Sequence, residues 1–175
     1  MPGDIKKAIN FSASEKYPEP KIEKKNFYYA NLLLEDYSGI VSELSAVMLY
    51  VYQHILSEDE FKDYAEVLSG IAIIEMKHLE LLGETIKLLG LKPIYAVPYM
   101  GLYYPWNSKF VNYETDISKM IDIDIESEQQ AINQYENHRM LIKDKYIKEL
   151  LSRIIEDEKL HLKIFKDLKK KYDKG

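Results

Sequence analysis

The chain has 175 residues, a net charge of -5 and no cysteine. Its length suits one domain, and the missing cysteines exclude disulfide bonds, iron–sulfur clusters and thiolate metal sites. The acidic balance argues against nucleic-acid binding, which needs a basic face. We find no apolar run approaching about 18 residues, so we expect no membrane span. The polar first 25 residues lack the apolar core of a secretory signal, which predicts a cytoplasmic protein.

Proline divides the chain into regions that can and cannot form long helices. The six prolines are Pro2, Pro18, Pro20, Pro93, Pro98 and Pro105. None lies in 21–92 or 106–175, and a proline in a helix interior costs about 3 kcal/mol, so both stretches can be helical. We therefore divide the chain into a polar N-terminal arm, residues 1–25, and a helical domain, residues 26–175.

Turn signals divide each helical stretch once more. Ser57 and Glu60 have the spacing of a capping box, and Asp144 can cap the next helix in the second stretch. Gly90, followed by Pro93, is a typical helix stop. The sequence thus predicts helices over 26–56, 58–90, 113–142 and 145–172.

The short turns and one long connection predict the fold. Helices joined by short loops pack antiparallel, so the four helices form two hairpins. Residues 91–112 join the hairpins and are rich in aromatic side chains: Tyr95, Tyr99, Tyr103, Tyr104, Trp106 and Phe110. We expect this linker to pack along the bundle or at a subunit contact rather than to form a lid over the site. The predicted fold is all-α, a ferritin-like four-helix bundle of two hairpins joined by a long crossover.

Acidic residues and histidines interrupt the apolar faces of the second and fourth helices. Apolar residues recur there at spacings of three and four, which places them on one buried face. Glu75 and His78 fall on that face of the second helix, one turn apart. Glu158 and His161 repeat the spacing on the fourth.

The first and third helices each contribute one inward glutamate, Glu43 and Glu128. Each is followed by alanine three residues later and by tyrosine seven residues later, Tyr50 and Tyr135. Glu126 competes for the role in the third helix, but it lies about 200° around the helix from Glu128, on the solvated side. The chain therefore contains an internal repeat, which predicts a pseudo-two-fold bundle with one shared site. The alternative is that these acids are solvated.

Four carboxylates in a bundle core would repel one another and lose their hydration. Two divalent cations would neutralise them. Oxygen and nitrogen ligands without thiolate suit iron or manganese, and zinc is also compatible. One Glu and one Glu-x-x-His for each metal is the arrangement of di-iron and di-manganese carboxylate bundles. The pattern predicts two divalent transition-metal ions per chain, iron or manganese.

Over residues 26–172 this paired pattern resembles the ferritin-like di-metal carboxylate superfamily, which includes ferritins, bacterioferritins, rubrerythrins and manganese catalases. The segments 37–46 and 74–80 are similar to those of manganese catalases. Rubrerythrins carry a further inward glutamate where this chain has Ile125, and they usually append a cysteine-rich domain that is absent here. The resemblance implies six metal ligands: Glu43, Glu75, His78, Glu128, Glu158 and His161. It further implies that Glu75 and Glu158 are the candidates to bridge the metals, although in some manganese catalases one of these two carboxylates lies outside the ligand set.

Three further residues could support those ligands. Tyr50 and Tyr135 could hydrogen-bond to ligand carboxylates, although a packing role fits them equally well. Asp157 could orient a ligand imidazole, but Ile74 holds the matching place on the second helix. We expect His138, farther along its helix, to be partly exposed rather than a ligand, like His54.

The resemblance implies an oxidoreductase that disproportionates or reduces hydrogen peroxide, with peroxide or dioxygen as substrate. It also implies a homo-oligomer, a dimer or larger. The charge and the short apolar runs predict that neither nucleic acid nor membrane is a partner. Disproportionation needs no external reductant, which agrees with the missing redox domain. Two alternatives remain open: a ferroxidase that feeds iron storage, and a non-enzymatic metal-binding bundle.

Overall fold

Long helices separated by short turns make up most of the structure, a computed structural model that describes residues 11–173. A short 3₁₀ turn at Ser108–Phe110 precedes the fourth helix. The other elements, in chain order, are α1 (Phe27–Ser38), α2 (Glu43–Ser57), α3 (Lys62–Leu89), β1 (Ala96–Tyr99), β2 (Leu102–Pro105), α4 (Ile117–Leu141) and α5 (Lys145–Tyr172).

The helices pair as two hairpins. The most extensive contacts join α4 to α5 and α2 to α3, and α1 lies against α3. Weaker contacts between α3 and α5 and between α2 and α4 bring the hairpins together. The predicted four-helix bundle is confirmed, with α1 and α2 together in the place of the first predicted helix.

The first predicted helix is not continuous, and that prediction was wrong at residues 39–42. The N–H of Gly39 donates to the carbonyl of Glu35 at 2.8 Å, and a Cβ on this glycine would come within 2.5 Å of the same oxygen. The chain then leaves the helix, and the Ser42 hydroxyl caps α2. The break places Glu43 in the first turn of α2.

Of the three predicted turn signals, the one at Ser57 was wrong and those at Asp144 and Gly90 are confirmed. The capping box at Ser57 and Glu60 was wrong, because α2 runs through Ser57 and the N-cap of α3 is Phe61, which makes no side-chain capping bond. Asp144 does cap α5, and its carboxylate accepts the backbone N–H groups of Tyr146 and Ile147. Gly90 ends α3 with a left-handed φ of 100°.

The aromatic linker, residues 91–112, contacts α1 through β1 and contains a two-stranded antiparallel hairpin, whose Tyr99, Tyr103 and Tyr104 side chains are exposed. Ser38 Oγ lies 3.0 Å from both the backbone nitrogen and the carbonyl oxygen of Ala96. Trp106 Nε1 donates to Ser45 Oγ at 3.0 Å. After the linker, α4 begins four residues later than predicted, because Asp116 caps it.

Two apolar clusters flank a buried polar layer. On α3, Leu68 and Ile71 belong to one cluster, whereas Leu82 and Ile86 belong to the other. On α3, α4 and α5, the glutamates and histidines of the sequence repeat lie between residues of the two clusters. On α2, Glu43 lies in the first turn, ahead of the cluster residues Leu49 and Tyr50. The apolar burial that stabilises the bundle therefore surrounds the polar layer and holds it in place.

The segment of the predicted arm that the structure describes, residues 11–25, is half-buried in places. The phenyl ring of Phe11 packs in the apolar cluster that contains Leu68. The earlier part of the arm, residues 1–10, lies outside the described residues. The division of the chain at residue 25 remains a prediction.

The stretch Phe27–Ser57 is apolar and long enough to cross a membrane by length and composition alone, which our sequence reading did not anticipate. In the structure it is broken into α1 and α2, and it carries the buried carboxylate of Glu43. A core helix passes the same test, so the stretch gives little support to a membrane span.

The expectation of a partly exposed His138 was wrong. The side chain is buried, and its Nδ1 atom lies 2.8 Å from Oδ1 of Asp36 at the end of α1. Its Nε2 atom lies 3.6 Å from the carboxylate of Glu35. Burial opposes the charged imidazolium, but these carboxylates outweigh burial and raise the pKa of His138 to about 9. The pair ties α4 to α1, next to the break before α2.

The raised pKa of His138 predicts a pH-dependent contribution to stability. Because the folded pKa exceeds that of the unfolded chain, the stabilisation is complete below about pH 6.5 and is lost as the pH rises through about 9. Replacing His138→Gln should lower the free energy of unfolding by about 1–2 kcal/mol at pH 6 and by much less at pH 10. Urea unfolding of both proteins across this range measures the difference. A gap between the two proteins that stays constant with pH would contradict the assignment.

Candidate metal centre

Six side chains from four helices meet in the polar layer of the bundle. One comes from α2, two from α3, one from α4 and two from α5. Each is at most 3% exposed: Glu43, Glu75, His78, Glu128, Glu158 and His161. The competing Glu126 points to solvent. The structure thus brings together all six residues that the sequence repeat singled out.

The six side chains form two overlapping groups. One group is Glu43, Glu75, His78 and Glu158; the other is Glu75, Glu128, Glu158 and His161. In each group, one potential ligand atom from every residue lies within 4.8 Å of all the others. The two groups share Glu75 and Glu158, which gives the site the form of two adjacent cation positions.

Glu75 and Glu158 each direct one oxygen towards each histidine. Nδ1 of His78 lies 3.0 Å from Oε2 of Glu75 and 3.1 Å from Oε1 of Glu158. Nδ1 of His161 lies 2.9 Å from Oε1 of Glu75 and 3.4 Å from Oε2 of Glu158. Each carboxylate spans the two positions, which is the geometry of a bridging ligand.

The outer nitrogen of each imidazole has a hydrogen-bond acceptor beside it. Nε2 of His78 lies 2.9 Å from Oδ2 of Asp157, and Nε2 of His161 lies 2.8 Å from the backbone carbonyl oxygen of Phe11. A carbonyl can only accept, so Nε2 of His161 carries the proton. In the neutral ring, Nδ1 then presents its lone pair to the centre, as a metal ligand requires.

The two tyrosines reach across the bundle to each other's helix. Tyr50 on α2 donates its hydroxyl to Oε1 of Glu128 on α4 at 2.5 Å. Tyr135 on α4 donates in turn to Oε1 of Glu43 on α2. Each phenol therefore fixes one oxygen of the partner helix's glutamate.

The electrostatics of the site favour bound cations. Burial raises the pKa of Glu43 well above its ordinary value, and the nearby charge of Glu75 raises it further. Burial and the charge of Glu158 do the same to Glu128. Within residues 11–173, the ion pairs of lysine and arginine involve other acids and none of these four.

Buried polar atoms without hydrogen-bond partners at the centre of the site also favour bound cations. Oε1 of Glu75, Oε1 of Glu158 and Nδ1 of His161 are buried without a hydrogen bond of acceptable geometry. Nδ1 of His161 lies 2.9 Å from Oε1 of Glu75, close enough for both atoms to bind one cation. Two divalent cations would satisfy these atoms and balance four carboxylate charges. The oxygen and nitrogen donors fit manganese or iron.

A small cavity lies beside the carboxylates, between α2 and α4. Its volume is about 20 Å³, room for about one water molecule. Glu43 and Glu128 line it together with the small side chains of Ala46 and Ala131. The alanines of the internal repeat thus leave space next to the site.

Comparison with known proteins agrees with this geometry. The Rubrerythrin family model matches residues 37–169, which include all six side chains. The chain belongs to the rubrerythrin family. In this di-metal family, the two groups of buried glutamates and histidines in the bundle core are residues that could bind two metal ions.

Two individual relatives are manganese catalases by name. A probable manganese catalase of Clostridium acetobutylicum is 28% identical over 166 residues, an alignment that covers 84% of this chain and 72% of that protein. The crystal structure of a manganese catalase from Anabaena superposes with a TM-score of 0.82 at 24% identity, covering 92% of this chain and 80% of that one.

A bacterioferritin is also similar. The diiron bacterioferritin of Desulfovibrio desulfuricans superposes with a TM-score of 0.70 at 25% identity, covering 82% of this chain and 79% of that one. These likenesses confirm that this rubrerythrin-family chain has the ferritin-like fold.

Sequence reasoning missed three contributors to the site: Phe11, Tyr17 and Arg153. Arg153 binds Oδ1 of Asp157 at 2.7 Å, and the hydroxyl of Tyr17 donates to the other oxygen of that carboxylate. The arginine lies one helical turn before Asp157, a spacing that could have indicated an ion pair. Nothing in the polar N-terminal arm could have indicated the other two residues, because they reach the site only through the fold.

Removing the Tyr50 hydroxyl should weaken metal binding. Tyr50→Phe frees Oε1 of Glu128, so we expect Mn²⁺ or Fe²⁺ to bind about tenfold more weakly. Competition with a chelator measures the affinity. The matched control is Tyr64→Phe, because Tyr64 is also buried and donates to a carboxylate, Asp124, that belongs to neither ligand group. Equal losses of affinity in both variants would contradict a ligand-positioning role for Tyr50.

Proposed function

We propose that this chain is a di-metal oxidoreductase that disproportionates hydrogen peroxide. The observation that carries the proposal is the pair of ligand groups with two shared carboxylates, buried beside a cavity that fits only very small molecules. Similarity to a probable manganese catalase supports peroxide as the substrate and manganese as the metal. The chain itself supplies no built-in electron carrier such as a cysteine-bound cluster.

Disproportionation balances without any external electron donor. One peroxide loses two electrons and two protons to become dioxygen, and a second peroxide gains them to become two waters. Two manganese or iron ions bound at the site would store the two electrons between these half-reactions. The protein must therefore hold the two protons for the same interval.

Glu43 and Glu128 are placed to hold those protons. Both line the cavity, and in each the Oε1 atom is occupied by a tyrosine hydroxyl. The remaining oxygen of each, Oε2, would bind metal, and a carboxylate that exchanged this coordination for a proton would take up a proton released by the first peroxide and return it to the second. Tyr50 and Tyr135 keep these carboxylates from rotating away from the cavity.

The cavity also selects the substrate. With room for about one water molecule, it is too small for a bulky organic peroxide. On the other side of the site, the outer nitrogens of His78 and His161 are covered by Asp157 and by the Phe11 carbonyl. Peroxide would therefore approach from the α2–α4 side.

Iron oxidation is the second candidate function, favoured by the structural likeness to a diiron bacterioferritin. It predicts rapid dioxygen consumption when Fe²⁺ is added to the apoprotein, together with a hollow assembly of many subunits. Light scattering distinguishes such an assembly from a small homo-oligomer. The third candidate, a non-enzymatic metal-binding bundle, predicts bound metal and no turnover of either substrate.

The decisive measurement is oxygen release from hydrogen peroxide by protein loaded with Mn²⁺ or with Fe²⁺. We expect turnover in at least one loaded form. Glu128→Gln should reduce the rate about 100-fold or more, because it removes a charged ligand of the His161 group. Metal content is measured on the same samples.

The control is Glu126→Gln, the same substitution on the same helix at an exposed position. It should leave both the rate and the metal content unchanged. If protein with two metals per chain leaves peroxide untouched in both loaded forms, the proposed function is wrong.

A further inference from the structure

We infer that the segment Phe11–Tyr17 is a working part of the metal centre, and that metal binding at the His161 position depends on the backbone carbonyl of Phe11. The inference rests on the two-metal site of the proposed function and concerns how the two halves of that site differ. It follows from a break in the internal symmetry of the bundle.

The two histidines are equivalent by sequence but not by surroundings. His78 and His161 each follow a glutamate by three residues, and the residue before that glutamate is Ile74 in α3 and Asp157 in α5. Asp157 provides the acceptor for Nε2 of His78. The matching position on the other helix is isoleucine, which cannot accept a hydrogen bond. The carbonyl of Phe11 provides the acceptor for His161 instead.

The Phe11 ring is fitted into α3. A Cβ built on Gly70 would come within 2.2 Å of Cε2 of Phe11, so the ring occupies the space that any other residue at position 70 would fill. The glycine costs about 1 kcal/mol of helix propensity relative to alanine. The space that the Phe11 ring occupies explains why glycine is found at position 70 despite this cost. The packed ring in turn fixes the position of the Phe11 carbonyl.

The rest of the segment is held by the side chains that orient His78. The backbone N–H of Ala13 donates to Oδ1 of Asp157 at 2.6 Å. Arg153 donates to the carbonyl of Ala13 at 2.9 Å and to the carbonyl of Glu15 at 2.7 Å. The guanidinium also stacks over the ring of Tyr17 at 4.2 Å. Asp157 and Arg153 therefore place the segment and the imidazole of His78 together.

This arrangement makes the two metal positions unequal. An ionised carboxylate behind His78 increases the basicity of that imidazole, whereas a neutral carbonyl behind His161 does so less. The His161 position also loses its acceptor whenever the segment moves. Metal should therefore be weaker at the His161 position, and by reciprocity a bound metal there should stabilise the segment against the helices.

Gly70→Ala tests the inference on the full chain. The added methyl group displaces the Phe11 ring while improving the helix propensity of α3, so a loss of metal affinity could not be assigned to a weaker helix. We expect one Mn²⁺ per chain to keep its affinity and the other to bind at least about tenfold more weakly in chelator competition. The electron paramagnetic resonance spectrum should change from that of a coupled pair to that of a single Mn²⁺ ion.

Gly83→Ala is the matched control on the same helix. Its Cβ would come no closer than 3.2 Å to any neighbour, the ring of Tyr37, and the position lies away from the segment. We expect it to bind both metals as the unmodified chain does. Phe11→Ala gives a second variant, which removes the ring without any change in α3 and should weaken the same metal.

Limited trypsin digestion gives a readout that does not depend on turnover. Cleavage after Lys16, within the segment, should be slower in the metal-loaded chain than in the chelated chain, with mass spectrometry identifying the product that begins at Tyr17. Equal cleavage rates, or two metals held as tightly in Gly70→Ala as in the unmodified chain, would overturn the inference. A chain that binds two metals but leaves peroxide untouched would overturn the proposed function alone.

Discussion

Four buried carboxylates in one layer of a helical bundle are the constraint on which the rest of this structure depends. Burial and mutual repulsion raise the pKa of Glu43 and Glu128, and buried atoms of Glu75 and Glu158 lack hydrogen bonds. Such a layer would weaken the fold unless cations balanced it. The apolar clusters on either side supply the burial energy that keeps the layer in place, and the two tyrosines and two outer acceptors fix its geometry.

The two-fold symmetry of the internal repeat holds for the six candidate ligands and their tyrosine partners, but not for the acceptors behind the two histidines. Tyr50 donates to Glu128 and Tyr135 donates to Glu43, as a two-fold axis that relates the two hairpins would require. The acceptors behind the histidines do not, since one is Asp157 and the other is a backbone carbonyl. One face of the site is open to a cavity of about the size of a water molecule, and on the opposite face the Phe11 carbonyl and Asp157 cover the histidines.

Several errors in the sequence predictions share one physical cause. Gly39 and Ser42 are only weak stop and cap signals by themselves, and the close approach of Gly39 to a carbonyl that accompanies the break exists only once the turn has formed. The proposed capping box failed because Ser57 is the last residue of α2, and its buried hydroxyl makes no hydrogen bond to the start of α3. His138 was expected at the surface, and its partner Asp36 lies on a helix about one hundred positions away in the chain.

The sequence by itself determined the helical stretches of the bundle apart from the break at residues 39–42, the faces they bury and the six residues on those faces, because helical periodicity is a local property that a single chain displays. It also excluded thiolate chemistry outright. Only the tertiary structure decided which tyrosine meets which glutamate, that Asp157 faces His78, and that Phe11 offers its carbonyl to His161. Contacts of this kind join residues more than 70 positions apart. Every residue has a backbone carbonyl, so no sequence pattern could have predicted that the carbonyl of Phe11 faces His161.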